Sequence, residues 1–565
     1  MGQPIGKHGG ARPDRILIAL LAAGLLLRLA LAWAPFAYLA RRGPLIDDAF
    51  YSFSIARNLA RGAGPTADGV HLTSGFQPLY TLCLVPCYRL SPKGSILPIH
   101  LALMLLALCG AATSWFIFRI TRRFASRRGA LFAVFVWTFS PTVLSQGANG
   151  LETGLLGLLV AVSLDFYLGS VRESPKPWRL VVMGLLLGLT FLARVDGILL
   201  AAAVVFDLLR LPLAPSQRLR AVVGMLAVLG ITVSPYLAWL IFRFGVFLPE
   251  SGVATRFLSL CYGTRFVLGA RSAMFFPPET VPLVYYAGSL RKALQTLVTE
   301  PMLFPLSFLT SGAASLGWLG PRTWPAVGGA ALLWLGNLWM LKRPSGIGEG
   351  AWRGFARVAG TCAALWVPAY AFGSLGQWWF SRYFSPLFLF CAILSGTSLD
   401  RLGEGLACLR RLGGRRFVAL VFCVQALFFA AQVPETFLRH KPNLNVSEYV
   451  QAARVLGGSV PPGSRTGAFQ SGTLGYFART QVLNLDGVVN RDAARALREK
   501  RMVLYIQDEG IDAVMDWPWI LEALLERRSP QGAAGALGTP RPTGPFLLIL
   551  VQPAGEPVAK RTIQK

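Results

Sequence analysis

Acidic residues are scarce in this chain of 565: 27 Asp and Glu stand against 55 Lys and Arg, a formal net charge of +28. Charged residues of either sign make up only 15% of it. Its eight cysteines form no CxxC and no Cys/His pairing, which argues against a zinc site or a disulfide framework. Most of them lie within apolar runs and read as small buried hydrophobes. No fixed-period repeat or low-complexity tract occurs, and no symmetry of the kind that marks the inverted halves of many transporters.

What fills the chain instead is apolar: 54% hydrophobic residues and a mean hydropathy of +0.51. Apolar runs fall near residues 16–40, 77–90, 95–118, 129–146, 151–169, 180–194, 196–210, 220–243, 302–319, 324–341, 355–374, 381–399 and 416–432. This is the composition of a polytopic α-helical membrane protein of about 11–13 transmembrane helices. Much of the positive charge sits in short clusters between these runs, so it reads as membrane topology and not as a nucleic-acid footprint. The first run follows Lys7, Arg12 and Arg15, lacks a small-residue cleavage site and is too long for a signal peptide, so it is expected to stay as an anchor with a cytoplasmic amino terminus.

Two runs are poor spans. Segment 77–90 has about 14 residues where a crossing needs about 20, and 302–319 is interrupted by Pro305. Removing both leaves eleven spans and puts the basic clusters at 119–128, 170–180, 210–220, 342–357 and 400–416 on one face, the cytoplasmic one. The transmembrane domain is then residues 1–435, with outer loops at about 41–94 and 244–323. Segment 77–90 is expected to lie at the outer interface or dip into it. Residues 440–565 change character, with Pro/Gly-rich punctuation and short alternating patterns, and read as an extracytoplasmic α/β domain. Helices are expected at 446–457 and 491–501, and strands at 464–469, 481–485, 511–515 and 546–552.

The chemistry concentrates on the outer face. Asp47 and Asp48 stand just beyond the first run, at the start of an interfacial helix over 47–61. One of them can cap that helix, with Asp48 the better placed, but one cap needs only one Asp. The second points to a general base or a metal ligand. The pair can hold Mg²⁺ or Mn²⁺ through oxygen ligands, although two carboxylates do not by themselves require a cation. Glu152 joins them as a third candidate catalytic carboxylate at an outer loop. Arg194 and Asp196 occupy a break between two short spans, and read either as a mutual ion pair or as site residues. Arg382 and Tyr383 begin a later span, where an arginine either snorkels among aromatics or meets substrate. Arg57, His71, Gln77 and Arg256 complete the candidate substrate-binding set. Together these groups suit transfer of a sugar from a lipid phosphate: arginines stabilise the departing phosphate while a carboxylate deprotonates the acceptor hydroxyl.

The motifs themselves resemble a known family. Asp47-Asp48-Ala49-Phe50-Tyr51, Ala56-Arg57-Asn58-Leu59 and Gly75-Phe76-Gln77-Pro78-Leu79-Tyr80 are similar to the first outer loop of the GT-C class of polyprenyl-phosphate-sugar glycosyltransferases, the group containing protein O-mannosyltransferases and the lipid A aminoarabinose transferase. Asn149-Gly150-Leu151-Glu152-Thr153 looks like a second acidic site, and Leu192-Ala193-Arg194-Val195-Asp196-Gly197 like a basic phosphate-contact position. Phe244-Gly245 with Pro249, Arg382-Tyr383-Phe384 with Pro386, and residues 467–490 resemble later landmarks of the family. Some members carry a basic residue where this chain has Gln77, so His71 or an arginine is left to substitute there.

The resemblance implies an inverting glycosyltransferase at the outer face of the bacterial inner membrane, with Asp47 or Asp48 as base and Asp47 the more critical. Its donor would be a sugar on a polyprenyl-phosphate carrier, its acceptor an envelope glycan, lipid or protein, and its surroundings membrane lipid, with no nucleic acid. A transporter or lipid flippase is the alternative from another class, and a non-catalytic envelope scaffold a third.

Overall fold

A computed structural model of the protein describes residues 14–268, 283–299, 348–374, 380–405, 414–438, 446–526, 537, 540–543 and 545–551. The expected segments 302–319 and 324–341 lie outside these residues.

Helix α1, Arg15–Ala32, starts at Asp14, whose side chain accepts the N–H groups of Ile16 and Leu17. It does not run to residue 40 as the apolar pattern suggests. Pro35 cannot supply a backbone donor and disfavours helix in the residue before it, so a separate short helix α2, Phe36–Arg41, follows. Helix α3, Ala49–Ala60, differs from the expected interfacial helix in another way: most of its residues are buried, with Phe50, Phe53 and Ala56 packed on Tyr80, Leu84 and Tyr476, and Tyr51 and Ile55 on Phe76 and Val489. It is sandwiched between the bundle and the tail. Helix α4, Pro78–Arg89, has 12 residues and an internal Pro86, so it is about 18 Å long and too short to cross.

The bundle proper continues with α5 (Leu97–Thr121), α6 (Arg127–Phe139), α7 (Pro141–Gly147), α8 (Thr153–Phe166, extended by a π turn to Val171), α9 (Pro177–Ala193), α10 (Ile198–Leu208) and α11 (Pro215–Phe244). In the second loop lie α12 (Glu250–Leu268) and α13 (Leu283–Thr299), and the bundle resumes with α14 (Glu349–Pro368), α15 (Phe380–Tyr383), α16 (Ser385–Gly405) and α17 (Gly414–Val433). Among the described residues six helices are long and apolar enough to cross a membrane, or seven if α6 and α7, bent by 57°, form one span. The count falls below eleven because the expected span 324–341 lies outside the described residues, α10, with 11 residues, reaches only about 16 Å, α9 has 17 residues, and the charged end of α16 lowers its hydropathy.

The bend between α6 and α7 is locked by a charge. Pro141 lacks the N–H that would meet the Trp137 carbonyl, and the freed carbonyls of Trp137 and Thr138 accept from Arg28 Nη2 at 3.5 Å and Nη1 at 3.2 Å. Arg28 is buried in α1, and no carboxylate pairs with it among the described residues.

The ion pairs sort the bundle into two ends. At one, Arg127 meets Asp14 at 2.7 Å, Arg119 and Arg123 hold Asp165 at 3.0 and 2.8 Å, Arg172 and Arg357 hold Asp207 at 2.8 and 3.0 Å, and Asp400 bonds the Ser126 hydroxyl at 2.5 Å. Described residues of four of the five basic clusters expected on one face, those at 119–128, 170–180, 342–357 and 400–416, therefore share this end. Asp48, Glu152, Arg194 and Arg382 share the other.

Against that other end stands the tail: α18 (Val446–Ser459), β1 (Arg465–Ala468), α19 (Gly472–Phe477), β2 (Gln481–Asn484), α20 (Arg491–Arg498), α21 (Met502–Asp508), β3 (Ala513–Asp516), α22 (Pro518–Glu526), β4 (Arg541–Thr543) and β5 (Phe546–Leu550). Its sheet has the order β2-β1-β3-β5-β4, parallel from β2 to β3 and antiparallel beyond. It carries its own apolar core, to which α12 adds Leu258.

Candidate active site

The turn before α3 brings both acidic groups to the seam between bundle and tail. Asp48 occupies the position before the helix but its side chain caps nothing. The backbone there is already helical, with φ −55° and ψ −27°, unlike the extended conformation a capping side chain needs. Its carboxylate instead accepts from Arg382 Nη1 at 2.7 Å, and this pair faces solvent, with Asp48 38% and Arg382 15% exposed in their side chains. The capping role expected for Asp48 is thereby corrected.

Asp47 turns the other way. Its Oδ1 accepts the N–H of Thr473, in the tail, at 2.7 Å, while among the described residues the buried Oδ2 has no partner. An unsatisfied buried acceptor is uncommon and calls for an explanation. Burial, reinforced by the nearby charge of Asp48 and only partly offset by the Thr473 bonds, lifts its carboxyl to about 6.

Behind Asp48 lies a second layer. Arg194, 4% exposed, grips Asp196 through Nε at 2.8 Å and Nη2 at 2.6 Å, and also reaches the carbonyl of Tyr383 at 3.0 Å and that of Arg382 at 3.5 Å. Asp196 in turn accepts from Trp366 Nε1 at 3.1 Å and Tyr370 hydroxyl at 2.5 Å. Tyr370 sits in a π turn, Ala369–Ser374, and stacks on Tyr383 at 4.4 Å. Glu152, buried at the start of α8, stands 3.9 Å from Arg194. The ion-pair reading of Arg194 and Asp196 is thus what the structure adopts: two of the five Arg194 N–H donors go to Asp196 and two to the Tyr383 and Arg382 carbonyls. Arg382, which also donates to Tyr383 hydroxyl at 3.1 Å, keeps 15% of its side chain exposed against 4% for Arg194.

The remaining candidates bond elsewhere. Arg57 donates to the Tyr476 carbonyl at 2.8 Å and lies 4.4 Å over its ring, which makes it a clamp on the tail. His71 pairs with Asp68 at 2.6 Å and faces Glu509 of the tail at 3.6 Å. Arg256 donates to the Gly373 carbonyl at 2.7 Å. Gln77 precedes α4 with its Oε1 buried and, among the described residues, unpaired. Among the described residues no group of three or more His, Cys, Asp and Glu is arranged to hold a metal ion. Asp47 Oδ1 is taken by Thr473 and Asp48 by Arg382, and no step below passes through a cation.

Sequence reasoning missed the tail's share of the site. Asp486 accepts from Val488 N–H at 2.8 Å, and Asp516 from Phe469 N–H at 2.6 Å and Gln470 N–H at 3.1 Å. Tyr51 hydroxyl lies between the Ser471 N–H and Asn484 Nδ2, each at 3.3 Å. Burial pushes Asp486 up to about 8 and Asp516 to about 7, so the folded tail holds protons that the unfolded chain releases. Where the folded state binds more protons, stability falls as pH rises. The tail is expected to melt at progressively lower temperature between pH 6 and pH 9, read by scanning calorimetry of the detergent-solubilised protein. A melting temperature that rises over that interval contradicts the burial of these two carboxyls.

The fold has solved counterparts. Over 95% of this chain and 97% of the other, it superposes with a TM-score of 0.54 and 15% identity on ArnT from Cupriavidus metallidurans bound to undecaprenyl phosphate. Against the same enzyme in the apo state the TM-score is 0.55, at 15% identity over 94% and 97% of the two chains. The Archaeoglobus fulgidus oligosaccharyltransferase in complex with Zn and sulfate gives 0.53, at 14% identity over 92% of this chain and 71% of that one. Residues 98–239 match the family model described as dolichyl-phosphate-mannose-protein mannosyltransferase, and residues 441–541 one described as a domain of unknown function. No curated protein matches the chain. The fold is that of the GT-C membrane glycosyltransferases. The resemblance to this class and the polytopic fold with its small C-terminal sheet region are both borne out; the family match at residues 98–239 does not reach the first-loop motifs.

Proposed function

We propose that the protein is an inverting glycosyltransferase that moves a sugar from a polyprenyl-phosphate carrier to a hydroxyl acceptor at the outer face of a bacterial inner membrane. The observation that carries this is the buried Oδ2 of Asp47, unpartnered among the described residues, next in sequence to the partly exposed pair of Asp48 and Arg382. In this reading Asp47 takes the proton of the acceptor hydroxyl, the acceptor oxygen attacks the anomeric carbon from the face opposite the phosphate, and the bond from that carbon to the phosphate oxygen breaks. The lipid phosphate leaves with the electron pair, and Arg382 stabilises the oxygen on which charge gathers. Asp48 and Glu152 keep the arginines in place. The fold likeness favours this reading over a transporter, whose sequence symmetry the chain also lacks.

The deciding experiment supplies purified protein with a polyprenyl-phosphate sugar and extracts of envelope glycan, lipid and protein, and follows release of the free lipid phosphate. Transfer without counterflow of the same lipid across liposomes supports the enzyme; counterflow without transfer overturns it in favour of the transporter.

Sidedness is testable separately. Ser459 is exposed on the tail, and Lys176 is exposed at the basic end of the bundle. In a cysteine-free background, a cysteine at Ser459 is expected to react with a membrane-impermeant thiol reagent applied from the periplasmic side, and one at Lys176 to stay unlabelled. The reverse pattern inverts the proposed orientation.

A further inference from the structure

We propose that tail segment 471–476 is the positioning element of the catalytic carboxylate, so that the domain of unknown function completes the active site. The inference rests on Asp47 being the base. A carboxylate at the end of a turn rotates easily about its last torsion, which is broad and two-fold, and an unheld Asp47 would present either oxygen. Nothing in its own helix holds it, since α3 begins without a side-chain cap. The hydrogen bond that selects an orientation comes from the tail, Thr473 N–H to Oδ1 at 2.7 Å, with the Gly472 N–H and the Thr473 hydroxyl also beside the carboxylate, and among the described residues Oδ2 is the oxygen left without a partner.

The neighbouring contacts are built around that bond. A Cβ at Gly472 would lie 2.5 Å from the Asp47 carbonyl oxygen and 2.9 Å from Oδ2, so only glycine lets the two backbones approach this closely. One turn further along α3, Tyr51 hydroxyl receives the Ser471 N–H. Further on, Arg57 takes the Tyr476 carbonyl, and Tyr88 of α4 donates to the Tyr476 hydroxyl at 3.2 Å. The segment is thus clamped to the bundle on both sides of Thr473. A glycine on the bundle side does the same for the opposite edge of the contact: a Cβ at Gly75 would meet the Val488 carbonyl oxygen at 1.9 Å.

Thr473→Pro removes the N–H, at a place in the first helical turn where proline is tolerated. Turnover is expected to fall roughly 10- to 100-fold, the cost of a misplaced reacting group, while KM for the lipid-phosphate sugar stays put. Thr473→Ala keeps the N–H and is expected to recover the lost rate. Undiminished turnover in the proline variant, or an equal loss in both variants, overturns the proposal. Hydrogen exchange decides the same contact without any activity: the Thr473 amide should stay protected in Asp47→Asn, whose side-chain oxygen still accepts, and lose protection in Asp47→Ala. Equal protection in both overturns the contact even if the proline variant does not fold. Full activity of Asp47→Asn would instead remove the base reading while leaving the exchange result to stand.

Discussion

Asp47→Asn is expected to lower sugar transfer by about 10²–10⁴-fold, the usual cost of losing a general base, with the protein still folded. Asn is close in size, and its oxygen can take over the Thr473 N–H that Asp47 Oδ1 accepts at 2.7 Å. What it loses is the basic Oδ2. The wild-type rate should fall as pH drops through about 6, where burial holds the carboxyl half-protonated. Asp48→Asn weakens the 2.7 Å ion pair with Arg382 and keeps the base, so its loss should be smaller and appear partly in KM for the donor. Transfer at the wild-type rate in Asp47→Asn would sink the assignment and make Asp48, then Glu152, the next carboxylates to test.

Arg194→Met should unfold the bundle more than it disables chemistry. Arg194 is almost wholly buried, and its removal leaves Asp196 and Glu152 facing one another's charge inside the protein. Breaking a buried pair from one side costs about 3–5 kcal/mol. Arg194→Met with Asp196→Leu should recover much of that, because neither member is then left uncompensated. Thermal melting of the two variants in detergent checks this. A single variant that melts with the wild type, yet binds donor poorly, would return Arg194 to the role of phosphate ligand. Loss of activity alone in Arg194 variants therefore says little about phosphate recognition.

Much of this was legible beforehand. Apolar runs located the described bundle segments, and described residues of the basic clusters at 119–128, 170–180, 342–357 and 400–416 share one end as their loops required. In the tail, the strands at 465–468, 481–484, 513–516 and 546–550 lie where alternation put them. Three things were hidden. Pro35 ends α1 early because a backbone donor and a permitted conformation are lost together, which apolarity does not register. The short helices Gly472–Phe477 and Met502–Asp508 are held by tertiary contacts that leave little local pattern. The partnership of Asp47 with Thr473 joins residues 426 positions apart, and no local spacing encodes it.

The acidic pair was visible as a motif, but the division of labour within it was not. One carboxylate turns to the tail and the other to Arg382, and that follows from the helical backbone at Asp48, which a residue name does not reveal.

Arg28 has a consequence for how the chain is made. A charged side chain at membrane depth costs a newly inserting helix up to about 3 kcal/mol, and α1 meets the bilayer before its partners exist. The carbonyls of Trp137 and Thr138 that receive Arg28 lie 109 and 110 residues later. At synthesis rates of about 5–20 residues per second they arrive after roughly 5–20 s. During that interval α1 is an incompletely committed guest of the insertion machinery, held by its other apolar residues, and the hairpin of α5 and α6 acts as the late-arriving half that makes its residence permanent.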